Sequence, residues 1–270
     1  MFQKVAQFLF VVACFSVLVS CNEYQKALKS EDTKVKYELA QQYYDAGDFK
    51  RANRLFEQII PKFRGKPQAE RIVFFYANSY YQIKDYYTAA YQFDRFVKSH
   101  PKSEKLQEAA FLAAKSTFKL SPKYSIDQEE TITAIQKLQA FINAYPSAKE
   151  IPEANDMVRQ LRLKLDKKAF EIAKQYNTIR DYRSSITALD NFIVDHPGTP
   201  FKEEALYYKF DSAYRRAMNT YEYLKKTRLT EAREAYDDLK AFRPEGEFIK
   251  MADKLITDID EELVDYQETK

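Results

Sequence analysis

The chain has 270 residues, among them 21 Tyr and 20 Phe but no Trp, and only four Gly and nine Pro. Few glycines and many good helix formers favour helices over sheets, so we expect an all-α fold. The 43 basic and 40 acidic side chains leave a formal net charge of +3. This near balance argues against nucleic acid as a partner, because nucleic-acid binding needs a strongly basic surface.

Residues 1–20 are predicted to be a lipoprotein signal peptide. Lys4 gives a positive start, and the apolar stretch 5–19 is shorter than the roughly 20 residues of a membrane span. The stretch ends in Leu-Val-Ser-Cys at 18–21, which looks like a lipobox, where the peptidase cuts before a cysteine that carries diacylglycerol. The alternatives are an ordinary secretory signal and an uncleaved anchor in which the cysteine is incidental.

Cleavage would make Cys21 the lipidated N-terminus of the mature chain. Several acyl chains anchor a protein stably, since each buried methylene contributes about 0.8 kcal/mol. Asn22 rather than Asp follows the cysteine, which resembles lipoproteins that are sent to the outer membrane, where they face the periplasm. Residues 21–32 are polar and are predicted to form a lipidated tether. Cys14 leaves with the signal peptide, so no thiol remains for a disulfide, a metal or a nucleophile.

An internal repeat organises the rest of the chain. Residues 180–197 match residues 84–101 without a gap, and most of the other pairs are conservative. Each segment has a turn, a small residue, large apolar residues four and seven positions later, and then a proline. This pattern is typical of tetratricopeptide repeats, in which the small residue lets helix B approach helix A and the proline ends helix B. The identical pairs are Asp85/Asp181, Tyr86/Tyr182, Asp94/Asp190, Phe96/Phe192, His100/His196 and Pro101/Pro197.

Five such repeats fit the sequence and predict a right-handed α-solenoid of helix pairs with a C-terminal capping helix, which covers the open end of the core. The third repeat carries about eight extra residues around 121–129, and in the fourth Ile172, Ala173 and Tyr176 are predicted to face the core. We expect one repeat domain, 33–270, and no second domain. The repeats are 33–64, 70–101, 106–146, 168–197 and 203–244, and the capping helix is 247–267.

Residues that could support catalysis are sparse. His100 and His196 occupy the same position in two repeats, which indicates a structural turn. Neither a serine-type triad, a cysteine dyad nor a metal site of the usual His and Cys kind can be built from them. The four glycines are isolated and form no phosphate-binding loop. We therefore expect no enzyme activity, no cofactor and no bound metal.

The aromatic residues point to a peptide-binding groove. Side chains at the positions that face the concave groove of tetratricopeptide repeats combine aromatic rings with amides that could bond a peptide backbone, which suits an extended segment. The alternative is that neighbouring helices bury these side chains as core. The predicted groove residues are Tyr37, Gln41, Tyr44, Phe74, Asn78, Tyr81, Phe111 and Phe118, with Lys115 beside them.

Four short motifs lie between residues 61 and 101: Pro-Lys-Phe-Arg-Gly-Lys at 61–66, Gln-Ala-Glu at 68–70, Ala-Asn-Ser-Tyr-Tyr at 77–81, and Asp-Arg-Phe at 94–96 with His-Pro at 100–101. Together with the lipobox and five repeats, they resemble the BamD (YfiO) family of outer-membrane β-barrel assembly lipoproteins. The resemblance implies a periplasmic scaffold that binds a BamA-like barrel insertase and other members of the assembly complex. N-terminal repeats would receive the C-terminal signal of unfolded outer-membrane β-barrel proteins, and C-terminal repeats would dock the insertase. The aromatic enrichment and the insertion near 121–129 depart from the family, and no individual insertase contact carries over.

Two other functions are open. One is another periplasmic repeat adaptor that coordinates cell-envelope proteins, although these usually carry a coiled-coil segment and no sustained heptad repeat occurs here. The other is a carbohydrate-binding uptake lipoprotein, although such proteins are typically far longer and use Trp for sugar stacking. Identifying the proteins that co-purify with the chain from membranes would separate these functions.

Overall fold

The computed structural model describes residues 23–268, and every regular element within that range is a helix. The predicted lipid site, Cys21, and the signal peptide lie outside the described residues. The helices are α1 (23–29), α2 (Thr33–Asp45), α3 (Phe49–Phe63), α4 (Ala69–Gln82), α5 (Tyr86–Ser99), α6 (Leu106–Leu120), α7 (Glu129–Ala144), α8 (Ile151–Thr178), α9 (Tyr182–Asp195), α10 (Lys202–Met218), α11 (Glu222–Phe242) and α12 (Glu247–Glu268).

Helices that are neighbours in sequence pack as pairs. The pairs α2 and α3, α4 and α5, α6 and α7, and α10 and α11 correspond to predicted repeats one, two, three and five. In repeat four, Phe170 and Ala173 of α8 share a core with Leu189 and Phe192 of α9. The predicted all-α fold of stacked tetratricopeptide-like helix pairs is confirmed.

The chain divides into two compact units. The first runs to Pro122 and includes Gln128–Leu161, and the second comprises Lys123–Asp127 and Arg162–Lys270. Helix α8 contributes its residues up to Leu161 to the first unit and the remainder to the second. The first unit thus holds repeats one to three apart from residues 123–127, and the second holds repeats four and five with α12.

The turn between helix A and helix B is built the same way in repeats one, two and four. One residue adopts a left-handed backbone with φ of 78°, 66° or 67°, respectively. The aspartate that follows accepts the backbone N–H three residues later with its side chain and so caps helix B. The residue pairs are Gly47-Asp48, Lys84-Asp85 and Arg180-Asp181.

Helix B has the predicted contact pattern in all five repeats. The small residue of each repeat is fully buried, and the large apolar residues four and seven positions later are buried as well. A small side chain is required there because it lets two helix backbones approach closely. The small residues, all with an exposed fraction of 0%, are Ala52, Ala89, Ala134, Ser185 and Ala232.

Enlarging these positions should destabilise the fold. We expect Ala89→Leu and Ala134→Leu each to lower the free energy of unfolding by about 1–3 kcal/mol through overpacking. The exposed Lys98→Leu should change it by less than about 0.5 kcal/mol. Lys137 is a poorer control because its ammonium bonds the carboxylate of Asp94. Urea unfolding measures the three values, and equal losses at Ala89 and Lys98 would show that the repeat register is wrong.

The predicted core of repeat four needs a correction. Ala173 is buried, but Ile172 is 51% exposed and Tyr176 is 37% exposed, so these two predicted core positions are wrong. The cause is helical phase: Phe170 and Ala173, three residues apart, share the buried face of α8, whereas Ile172 and Tyr176 share an exposed face. Helix α8 also begins at Ile151 rather than near residue 168.

Helix α12 closes the second unit as the predicted capping helix. Its buried face packs against α10 and α11 through Ile249, Ala252, Ile256 and Ile259. The Tyr214 hydroxyl donates to Asp258 at 2.6 Å, and the Tyr236 hydroxyl donates to Asp253 at 2.7 Å. The carboxylate bond and burial raise the pKa of Tyr214 to about 12, and burial together with the Asp253 bond raises that of Tyr236 to about 12. Both hydroxyls therefore stay protonated donors that fix the cap at neutral pH.

Candidate functional site

Two of the predicted groove residues belong to the core. Phe74 is 3% exposed and packs edge-on against Phe93 and Phe96, with ring centroids 5.8 and 5.6 Å apart. Phe111 is 5% exposed, and its ring lies 5.2 Å from that of Phe141. Both side chains pack against neighbouring helices, because the core cluster of Phe74 extends into α6 and that of Phe111 extends into the first part of α8. Their assignment to an open groove is corrected.

The two predicted groove residues with aromatic rings on α2, Tyr37 and Tyr44, are half-buried. The Tyr44 ring stacks on Phe75 of α4 with centroids 4.5 Å apart and also meets Phe49 edge-on at 5.3 Å. The Tyr37 ring lies 6.1 Å from that of Phe63 at the end of α3. Stacked rings of this kind lose little conformational freedom on binding a ligand, because packing already holds them.

Burial governs the ionisation of Tyr44. Desolvation raises its pKa to about 12, and the carboxylates of Glu108 and Asp45 act in the same direction. The phenol is therefore neutral at physiological pH and can donate a hydrogen bond to a peptide carbonyl. Glu108 belongs to α6, so side chains of α2, α4 and α6 act on one region of the first unit.

Two amide side chains lie one helical turn from these rings, Gln41 before Tyr44 on α2 and Asn78 after Phe75 on α4. Gln41 and Asn78 are both half-buried on helix A of repeats one and two. The side-chain oxygen of Asn78, Oδ1, accepts a hydrogen bond from Gln82 Nε2 at 3.0 Å. An amide offers both a donor and an acceptor, which is what an unpaired peptide backbone requires. We define the Gln41–Asn78 surface as Gln41, Tyr44, Phe75, Asn78 and Tyr81.

A charged cluster lies next to Tyr81. Lys115 Nζ lies 2.7 Å from Glu153 Oε1 and 5.4 Å from the ring of Phe111. Burial raises the pKa of Tyr81; burial alone would lower that of Lys115, but Glu153 and Tyr81 hold it above its ordinary value. Phe118, also half-buried, has Lys119 Nζ 5.8 Å from its ring. The charge of Lys115 is thus balanced by the carboxylate of Glu153 on α8.

The same cluster recurs in the second unit. Lys174 Nζ lies 2.8 Å from Glu204 Oε1, 5.5 Å from the ring of Phe170 and 4.4 Å from that of Tyr208. Burial opposes the charge of Lys174, but Glu204 and Tyr208 raise its pKa. In both compact units, a lysine on helix A therefore contacts a phenylalanine four residues earlier and a glutamate of a later helix.

Phe75 was missed by the sequence prediction. It lies four residues after Arg71 and three before Asn78, so all three share one face of α4. The Arg71 guanidinium carbon lies 5.1 Å from the Phe75 ring centroid. Phe75 thus shares its helix face with a cation and an amide. This pattern in the sequence could have distinguished the half-buried Phe75 from the buried Phe74.

A separate cleft of about 780 Å³ lies in the first unit between α3, α4 and α5. Arg64 and Lys66 come from the α3–α4 turn, and Arg95 from α5, while Glu57 and Glu70 supply opposite charges. None of the eight predicted groove residues lines this cleft. It is a second place in which the first unit could receive a ligand.

The two histidines occupy the predicted equivalent turns. His100 and His196 end α5 and α9, and each ring stacks on a phenylalanine four residues earlier, at 4.9 Å from Phe96 and 4.8 Å from Phe192. Among residues 23–268, no group of three or more His, Cys, Asp or Glu side chains could hold a metal ion. In the same range, no helix has the length and apolar character needed to cross a membrane.

Comparison with known families identifies the chain. The profile of the YfiO family, described as an outer membrane lipoprotein, matches residues 29–183, more than half of the chain. The chain belongs to the YfiO family. The YfiO match contains all of the predicted groove residues and the Lys115–Glu153 cluster.

Solved structures with similar repeats share little sequence with this YfiO protein. Two crystal structures from Podosopora anserina, of a protein assigned as a kinesin light chain with nearly identical TPR-like repeats, are each 13% identical to it. One, a single-substitution variant, covers 77% of this chain and 92% of its own, and the other covers 78% and 96%; both have a TM-score of 0.33. The comparison with curated proteins finds no match.

Proposed function

We propose that this YfiO-family protein is a non-catalytic scaffold of the β-barrel assembly machinery, anchored through Cys21 in the outer membrane and facing the periplasm. Its first unit holds extended segments of unfolded outer-membrane β-barrel proteins, and its second unit binds a BamA-like barrel insertase. Other members of the assembly complex are further partners. Family membership and the stacked helix pairs support this proposal.

The observation that carries the client-binding role is the Gln41–Asn78 surface. An unfolded barrel segment exposes unpaired backbone amides and alternating apolar side chains. The stacked rings of Tyr44 and Phe75 suit the apolar side chains, and the amides of Gln41 and Asn78 suit the backbone. The expected affinity is on the order of micromolar, because ordering the segment costs a few kcal/mol and the client must be released.

Exposed apolar side chains support the insertase-binding role of the second unit. Ile172 and Tyr176 are exposed on one side of α8, and Ile179 is exposed in the turn that follows it. Tyr221 and Tyr223 are 74% and 80% exposed, and their rings stack 6.0 Å apart at the start of α11. Aromatic and apolar side chains on a surface are typical of protein interfaces.

Binding of a synthetic barrel C-terminal peptide tests the client-binding role. We expect Gln41→Ala combined with Asn78→Ala to weaken peptide binding about tenfold, since two hydrogen bonds of about 0.5–1.5 kcal/mol each are lost. Fluorescence anisotropy of a labelled peptide measures the dissociation constant. Tyr44→Ala is a less suitable test because the ring also packs against Phe75 and Phe49, so its removal would cost stability.

The matched control is Gln42→Ala combined with Gln92→Ala. Gln42 is the exposed neighbour of Gln41, and Gln92 lines the separate cleft. This variant should bind the peptide like the wild type. Loss of binding in the control, with normal binding by the Gln41 and Asn78 variant, would contradict the proposed surface and transfer the client site to the cleft.

A further inference from the structure

Part of the predicted tether is folded onto the first repeat. Helix α1 spans residues 23–29, and Ala27 is only 3% exposed in the core cluster that contains Ala40 and Tyr43. The Tyr24 ring meets the Tyr43 ring edge-on, with centroids 5.6 Å apart. The sequence prediction treated residues 21–32 as a tether because most of them are polar. It overlooked the contacts that Tyr24 and Ala27 make with repeat one.

Helices α2 and α3 both hold α1 in place. The Arg51 guanidinium carbon of α3 lies 5.5 Å from the Tyr24 ring centroid and 5.4 Å from that of Tyr43, so one cation bridges both rings. Lys36 Nζ of α2 donates to the carbonyl oxygen of Leu28 at 3.4 Å. Leu28 itself packs against the core cluster of repeat one.

The connection between α1 and α2 is also short and hydrogen-bonded. Ser30 N donates to Lys26 O at 3.0 Å, and Asp32 N donates to Ser30 Oγ at 3.0 Å. The Asp32 carboxylate then caps α2 by accepting from Lys34 N at 2.8 Å. The chain from Glu23 to α2 therefore has no free linker.

The predicted lipid site lies immediately before this helix. Only Asn22 separates Cys21 from Glu23, and two extended residue steps span roughly 7 Å. We propose that α1 holds the α1–α2 end of the first unit directly against the lipid surface of the membrane, without a flexible tether. This inference rests on the lipidation of Cys21 in the proposed function.

The charges on α1 and on the turn before α2 indicate which part of the molecule provides the affinity for the membrane. Glu23, Glu31 and Asp32 nearly cancel Lys26 and Lys29, so this end has little attraction for anionic headgroups. The acyl chains supply the affinity, and α1 supplies the placement. A groove of about 510 Å³ lies between α1 and α2, and Val35 lines it. The Val35 side chain is 45% exposed, and it offers an apolar contact to the interfacial region of the membrane.

Energy transfer from a single tryptophan measures this placement, because the natural chain contains no Trp. Lys34→Trp, at an exposed position in the first turn of α2, is introduced into the full chain, which is lipidated in a bacterial host, purified and reconstituted into phosphatidylcholine vesicles containing dansyl-labelled lipid. We expect strong transfer. Twelve Gly/Ser residues inserted between Asn22 and Glu23 should reduce it, since such a linker spans roughly 20 Å.

Undocking α1 should have the same effect. Ala27→Glu places a charge in the buried contact, whereas Gln25→Glu adds the same charge at an exposed position of the same helix. In the Lys34→Trp protein, transfer should fall when Ala27→Glu is added and stay at the value of the Lys34→Trp parent when Gln25→Glu is added, with circular dichroism confirming that both variants remain helical. Should Ala27→Glu unfold the chain, the linker insertion alone decides the outcome. Unchanged transfer after the insertion would overturn the proposal, because the domain would already move freely.

Failure of lipidation gives a different result. A cleaved chain that carries no lipid would not attach to the vesicles, and mass spectrometry would show an unmodified Cys21; either result would contradict the proposed anchor. Coupling the thiol of Cys21, the one cysteine after Cys14, to a maleimide lipid would then attach the protein at the same residue. The linker comparison would still show whether α1 holds the domain at the surface.

Discussion

Replacing Phe93 by alanine is expected to lower the free energy of unfolding of the first unit by about 3–5 kcal/mol. Phe93 has an exposed fraction of 0%, and it packs with Phe74, Phe96 and Ala89 in one core cluster. Its removal takes away apolar burial and leaves a cavity that the surrounding helices fill only in part. Urea unfolding followed by circular dichroism measures the change.

Tyr91→Ala is the matched control, since Tyr91 lies two residues away on α5 and is 57% exposed. The loss there should stay within about 0.5 kcal/mol. The unfolding midpoint of the first unit, which contains Phe93, should shift to lower urea concentration in Phe93→Ala and stay close to the wild-type value in Tyr91→Ala. Similar losses in the two variants would mean that α5 presents a different face to the core.

Cys21→Ala is expected to move the protein from the membrane fraction to the soluble fraction. The acyl chains on the cysteine provide the anchor, and with several chains attached the dissociation is negligible. Metabolic labelling with a palmitate analogue, followed by fractionation, measures both lipidation and location. The label should be lost completely in this variant.

The control for the anchor is Cys14→Ala, which removes the cysteine inside the predicted signal peptide. This variant should be labelled and should remain in the membrane fraction like the wild type. Equal labelling of the wild type and Cys21→Ala would contradict the lipobox prediction. Loss of the label in Cys14→Ala would place the modified cysteine in the leader.

The sequence predicts helix B much better than helix A. Helix B touches its neighbours mainly through one stripe, so small and large residues recur at a fixed spacing, as at Ala89, Phe93 and Phe96. Helix A is contacted from several sides: in α4, Phe74, Tyr76 and Ala77 are all buried. With apolar residues around most of the helix, the sequence does not define which aromatic side chain faces outward, and Phe74 was chosen instead of Phe75.

Two further features could not be predicted from local patterns. Helix α8 is continuous from Ile151 to Thr178, and no Gly or Pro follows Pro152 within it to mark the start of repeat four. Helix α1 is short and mostly polar, and it is held by the tertiary contacts of Tyr24, Ala27 and Leu28 with repeat one, which the local sequence does not reveal. In both places packing between elements decides the structure.

The shared turn between helices A and B bears on how such repeats are recognised. Repeat one places Gly47 at the left-handed position, but repeats two and four place Lys84 and Arg180 there, although that backbone conformation is unfavourable for residues with a side chain. What the three turns have in common is the aspartate that follows. A motif written around glycine would find one of these three repeats, whereas a motif written around the aspartate cap would find all three.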